Sequence, residues 1–249
     1  LHFASPRIGP LLRPRRNQCI IWGPTEHTAR SGECAISPLA FDSASPEASK
    51  EIALAVLSVS ADIGRACPLS VVCVGTDRST GDSLGPLVGT LLSASGFQGC
   101  VLGTLDHPIH AENLCALPIR ALSSGSVILG VDACLGARNE IGSIMVRNGP
   151  LRPGLGVRKR LPPIEDLYIA GVVNVGGFME YMVLQNTRLG LVMKMAQVIS
   201  SGILLADSLL RSIPQVEARA TQSRHDLTLA APKTALLHPL LLEEIGRRR

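Results

Sequence analysis

The stretch Leu69-Ser70-Val71-Val72-Cys73-Val74-Gly75-Thr76-Asp77-Arg78-Ser79-Thr80-Gly81-Asp82-Ser83-Leu84-Gly85-Pro86 decides how the rest of the chain reads. Val71 to Val74 is apolar and rich in β-branched residues, as a buried strand requires. At Gly75 the run stops and a polar loop begins, holding two carboxylates, a cation and three hydroxyls. A helix starting near Asp82 or Ser83 tolerates Pro86 in its first turn and aligns Leu84, Leu87, Val88, Leu91 and Leu92 as an apolar stripe. Strand, polar loop, helix is how open α/β proteins place sites at the carboxyl ends of their strands. The chemistry is expected in this loop.

Outward from that unit, strands and helices keep alternating. Ahead of it, residues 47–66 form a helix by pattern, with Ile52, Val56, Val59 and Ile63 on one face. Behind it, a strand over 99–105 leads into Asp106-His107-Pro108-Ile109-His110, and a short helix is expected over 111–117. A third strand, 126–131, ends at Asp132, and another covers 141–147. The Gly-, Pro- and Arg-rich segment 149–163 reads as a loop. The strand 167–173 ends at Asn174. Residues 178–211 read as helix in two pieces, divided around Asn186 to Gly190, with Pro214 closing the fold. This alternation predicts an α/β fold, a three-layer α/β/α sandwich with a mostly parallel sheet. The expected domain spans 47–213. An irregular, proline-broken leader (1–46) precedes it, and a poorly ordered tail (214–249) with a short helix near Leu236 to Ile245 follows.

Bulk composition narrows the function classes. Of the 249 residues, 46% are hydrophobic and only 3% aromatic, so the core must be aliphatic. Scarce rings argue against base-stacking nucleic-acid binders. The net charge of +4 gathers on probable tails, through Arg7, Arg13, Arg15, Arg16 and the terminal Arg247 to Arg249. A nucleic-acid groove needs its cations on folded elements, so none is expected. The Arg-rich, acid-poor start is compatible in composition with a transit peptide, but a plain irregular extension is the preferred reading. Seven cysteines without a CxxC pair fit reduced, buried thiols of a cytoplasmic protein better than a disulfide framework or a zinc site. No uninterrupted apolar segment looks long enough to cross a bilayer.

What terminates each strand selects the candidate residues. Asp77 and Asp82 follow the first strand, Asp106 the second, Asp132 the third and Asn174 a later one. In a parallel sheet these ends share one edge. Two carboxylates brought together cannot both ionise easily, so the pair shares a proton. Such a pair activates water as a base and protonates a leaving amine as an acid; it could equally hold a hard divalent cation. Asp132 follows a buried run, where an unpaired carboxylate is costly. Asp82 also suits a helix cap, Asp77 a loop-shaping role beside Arg78, and Asp106 a turn. His107 and His110 lack further ligands and read as structural; Cys134 reads as core. No GxGxxG, Walker A lysine or GxSxG elbow is present.

The stretch from Cys73 to Pro86 closely resembles the signature of the sporulation protein YyaC family. The resemblance continues through Gly103-Thr104-Leu105-Asp106, Val131-Asp132-Ala133-Cys134-Leu135-Gly136 and Gly171-Val172-Val173-Asn174-Val175-Gly176-Gly177-Phe178-Met179-Glu180-Tyr181. It ends in Leu184-Gln185-Asn186-Thr187-Arg188-Leu189-Gly190 and covers about residues 68–205. That family is similar to the spore germination protease and the hydrogenase maturation endopeptidases, which share a phosphorylase/hydrolase-like (HybD-like) fold. The resemblance implies a peptidase whose catalytic pair is Asp82 and Asp132. The histidine that maturation endopeptidases use for nickel recognition falls near Asn174 here, so neither nickel nor another cofactor is expected. Around the pair, Thr76, Thr80 and backbone amides near Gly81 are candidates to steady an oxyanion, with Asp77, Asp106 and Asn174 in supporting or substrate-binding roles. The implied partner is a protein or peptide substrate in the cytoplasm of a sporulating cell, with no nucleic acid, no membrane, and self-association left open. Two rival readings are an inactive regulatory protein binding an anion or metal on the same fold, and a metal-dependent hydrolase of small molecules.

Overall fold

Strands form where the aliphatic runs predict them, and one more forms where proline hid it. The computed structural model describes residues 39–63, 69–110, 113–114, 126–151 and 166–224. Its strands are β1 (Leu39–Asp42), β2 (Leu69–Cys73), β3 (Cys100–Leu102), β4 (Val127–Gly136), β5 (Ser143–Asn148) and β6 (Leu167–Val175). Its α-helices are α1 (Ala48–Ile63), α2 (Leu84–Ala94), α3 (Glu180–Gln185) and α4 (Leu189–Arg224). The strands make one sheet in the order β1-β5-β6-β4-β2-β3. β3, β2, β4 and β6 run parallel, whereas β5 is antiparallel to β6 and β1 to β5. The sheet is therefore mixed and the class α/β.

Strand alternation divides the core between the two faces. Val71, Cys73, Leu129, Val131, Ala133, Ile169 and Val173 point to one side, where α1, α2 and α4 supply Ile52, Val56, Leu84, Val88, Ile199 and Ile203. Val72, Val74, Ile128, Cys134, Tyr168 and Val172 point to the other, against Ile109, Leu114 and Leu151. All ten residues of β4 are buried, as expected of a central strand covered on both sides. Among the described residues no α-helix contributes to the second cluster. The helix expected over 111–117 and the loop over 152–163 lie almost wholly outside the described residues, as do residues 1–38 and the tail beyond 224.

Three features differ from expectation. The supposed irregular leader contains β1, held by pairing Leu39 with Val146 and Asp42 with Ser143; a four-residue strand whose partner lies a hundred residues away leaves no local pattern. Helix α4 continues through Pro214 to Arg224, since a proline removes one rung of the ladder, at about 3 kcal/mol, without forbidding the next. Within α4, Leu189–Ser212 has a mean hydropathy of 1.7 and is long and apolar enough to cross a bilayer by length and composition, which the sequence did not suggest. Its apolar stripe is a packing face: Val192, Met195, Ala196, Ile199, Ile203, Ala206 and Leu209 are buried.

Candidate active site

The site arises from a mismatch in strand length. β2 pairs with β4 as far as Cys73 and Val131, and Val74 N–H donates once more to the Val131 carbonyl at 2.8 Å. There β2 leaves the sheet, while β4 continues beside β6 to Gly136. Asp132 is thus the first β4 residue without a β2 neighbour. It lies in mid-strand rather than at the strand end expected from sequence, because β6 goes on supplying a pairing edge. Its parity with Ile128 and Cys134 assigns its side chain to the face away from α1, α2 and α4. Asp132 is 8% exposed. Its Oδ1 accepts the Ala133 N–H at 2.8 Å, and Oδ2 has no partner among the described residues.

Asp82 reaches this rim because the loop folds back on Gly75. Gly75 has φ +143°, a region open to glycine, and its N–H donates to the Ile109 carbonyl at 2.7 Å. A Cβ added there would strike the Asp82 carbonyl oxygen, which accepts the Thr76 N–H at 3.2 Å. Asp82 precedes the N-cap of α2, Ser83, so its carboxylate does not serve as the cap. Burial raises the Asp82 carboxyl above the ordinary aspartate range. Asp132 is raised well above it, first by burial and then by the Asp82 charge, with the Ala133 N–H acting weakly in the other direction. Two carboxyls near enough to interact, one more deeply buried than the other, are suited to share a proton, with Asp132 the holder.

The remaining candidates separate. Thr76 shapes the loop: its Oγ1 accepts the Arg78 N–H at 3.3 Å and lies 3.5 Å from Asp77 Oδ1. Asp77 and Arg78 are exposed and, among the described residues, form no ion pair. The Thr80 carbonyl accepts the Ser83 hydroxyl at 2.7 Å. The Gly81 N–H is not available to an oxyanion, because it donates to the Leu184 carbonyl at 2.8 Å. Asn174 is a joint: its Nδ2 donates to the Val183 carbonyl at 3.3 Å and to Thr187 Oγ1 at 3.2 Å, holding the junction of α3 and α4 against the Gly81 turn. Asp106 sits exposed in the turn that Thr104 and His107 close by mutual hydrogen bonds. The sequence argument singled out the loop's hydroxyls collectively but not Ser79, whose Oγ is buried without a partner. An orphaned hydroxyl beside a candidate centre is a group available to a ligand or an ordered water, and no residue pattern distinguishes it from its neighbours.

Among the described residues no three His, Cys, Asp or Glu side chains are grouped so as to hold a metal ion. Cys73 and Cys100 are free thiols, Cys134 is buried, and burial pushes the Cys73 thiol up; Cys19, Cys34, Cys67 and Cys115 lie outside the described residues. No solved structure matches the chain. One curated relative, the "Uncharacterized protein YyaC" of Bacillus subtilis (strain 168), is 53% identical over 143 residues, covering 56% of this chain and 70% of the relative. The match to DUF1256, described as "Protein of unknown function", extends over residues 41–202. That span takes in the second half of β1, the Gly75 loop, Asp132 and the Asn174 joint, and the chain belongs to the DUF1256 family, together with YyaC.

Proposed function

We propose that this protein is a sporulation-associated endopeptidase of the germination protease or HybD-like type, hydrolysing peptide bonds with Asp82 and Asp132. The observation that carries the reading is the buried pair itself, in which Asp132 feels both desolvation and the Asp82 charge. Burying two like-charged groups side by side costs stability, and carboxyls perturbed in this way cluster at functional sites. In the proposed reaction Asp82 takes a proton from a water molecule as its oxygen bonds to the peptide carbonyl carbon. Asp132 gives its proton to the carbonyl oxygen. On collapse the C–N bond breaks, the Asp82 proton passes to the departing amine, and Asp132 recovers its proton from the hydroxyl of the tetrahedral intermediate. The reaction draws on water alone, and each carboxyl ends in its starting state.

The test is incubation of the full chain with small acid-soluble spore proteins, beside Asp82→Asn and Asp132→Asn. Discrete fragments from the wild type, reduced at least a hundredfold in rate in both variants, are expected, since positioned acid–base groups contribute about 10²–10⁴-fold. Chelator should leave the rate unchanged. A second reading, an inactive regulator that binds an anion at the same loop, draws on the unpartnered Ser79 hydroxyl. It expects no cleavage and an unaltered biological role in Asp132→Asn.

A further inference from the structure

Helix α3 presents apolar side chains in two directions. Val183 and Leu184 turn inward and pack on the main core. Tyr181 and Met182 turn outward, while Phe178 and Met179 precede the helix, Met179 as its N-cap with φ +47°, and stand in solvent as well. These four are 69%, 47%, 81% and 56% exposed, in that order. The sequence has only four phenylalanines and two tyrosines, and one of each stands in solvent here. At about 150–250 Å² per ring, the two rings alone offer on the order of 300 Å². That is the size of the largest apolar patch on a typical monomer, about 300–600 Å², which is often functional.

We propose that this face is the docking platform for an extended, apolar stretch of a polypeptide substrate, which it delivers to the Asp82–Asp132 rim. The inference rests on the peptidase reading and adds the class of substrate. Three observations choose the occupant. The platform is joined to the site by hydrogen bonds: the Leu184 carbonyl accepts the Gly81 N–H, and the Val183 carbonyl accepts from Asn174 Nδ2. A chain lying on the outer face of α3 therefore runs beside the loop that holds Asp82. The exposed side chains stand out from the surface, whereas a small molecule needs a concave site. A second copy of the chain would need about 800 Å² per partner from 20–30 residues, more than these four side chains provide. Glu180 interrupts the four in sequence and is half-buried; the exposed side chains themselves are apolar, so the occupant's contacting residues are apolar, with aromatic anchors setting the affinity.

The experiment uses the full chain carrying Asp132→Asn, which keeps the platform and stops hydrolysis. Its binding to a positional-scanning library of synthetic, unstructured decapeptides is measured by fluorescence anisotropy. Selection for Leu, Met, Phe or Tyr in the bound peptides is expected. Adding Phe178→Ser with Tyr181→Ser should weaken binding at least tenfold, while Phe178→Leu keeps it near the parent value; circular dichroism checks that all variants fold. Unchanged binding in the double serine variant, or selection for charged peptides, overturns the platform. So does sedimentation velocity showing a dimer that the serine pair dissociates, because the face is then a self-interface. Peptides that bind through the platform but are never cut by the wild type leave the platform standing and remove the peptidase reading. Cleavage indifferent to both serine substitutions does the reverse.

Discussion

At the amino end of β6, Asp166 adopts φ +86°, while its Oδ2 accepts the Ile128 N–H at 2.9 Å and its carbonyl accepts the Gly149 N–H at 2.8 Å. Toward the other end of the same sheet, Asp132 keeps ordinary strand geometry but accepts only the adjacent Ala133 N–H and faces another carboxylate. The first aspartate tolerates a strained backbone, worth about 1–3 kcal/mol, because it joins β4, β5 and the start of β6. The second has a relaxed backbone and an unfavourable electrostatic neighbour. One residue type thus serves cohesion where it meets donors, and stores reactivity where it meets its like.

Substitution should widen that contrast. The largest effect is expected from Asp132→Asn, which should lose at least a hundredfold in hydrolysis, about 2.7 kcal/mol or more of transition-state stabilisation, while folding normally. Gly75→Ala should come next, destabilising the protein by on the order of 3 kcal/mol through its positive φ and the collision with the Asp82 carbonyl. A lowered urea midpoint with an unchanged slope would report it. Asp166→Ala should cost about 1–3 kcal/mol by orphaning the Ile128 N–H, yet leave the rate per folded molecule as it was. Asp166→Asn, which keeps an acceptor, should recover most of the loss. If Asp166→Ala instead abolished activity with little loss of stability, the contrast between the two aspartates would collapse.

Acidity gives the finest test. Folding raises both site carboxyls above the ordinary aspartate value near 3.9. Below that value folded and unfolded chains are both protonated, and the pair contributes no pH dependence. As the pH climbs toward the folded values, the unfolded chain releases protons that the folded chain keeps. Stability then falls by up to about 1.4 kcal/mol per pH unit for each group. The advantage of Asp132→Asn over wild type in unfolding free energy should therefore grow over the interval above the ordinary aspartate value near 3.9. A constant difference across that interval would mean that the pair holds no shared proton.

Much of this arrangement is legible in the chain. Aliphatic runs locate β2, β4 and β6, the polar interval after Val74 identifies the loop, and the weak stretch around Asn186 marks the division of α3 from α4. Strand-end logic includes Asp82 and Asp132 among five candidates, although Asp132 lies in mid-strand. What stays hidden depends on partners distant in sequence. β1 is too short to show a period and is fixed by β5; β4 outruns β2 only because β6 continues beside it. The Gly81 amide looks free until Leu184 arrives from a hundred residues away. The same holds for Asn174, whose polar side chain at a strand end reads as a site group and is occupied with holding two helices together.

The alternation of β4 also bears on how the chain finds its register. A slip of one residue turns every side chain of a strand to the opposite face. Such a slip would swing Asp132 toward the side where Leu84 and Met195 crowd Gly171, into surroundings with no donor for a carboxylate. A misregistered intermediate would carry that penalty at the centre of its largest hydrophobic cluster and be the first to come apart. The residue proposed to cut other chains would thereby also proofread the assembly of its own.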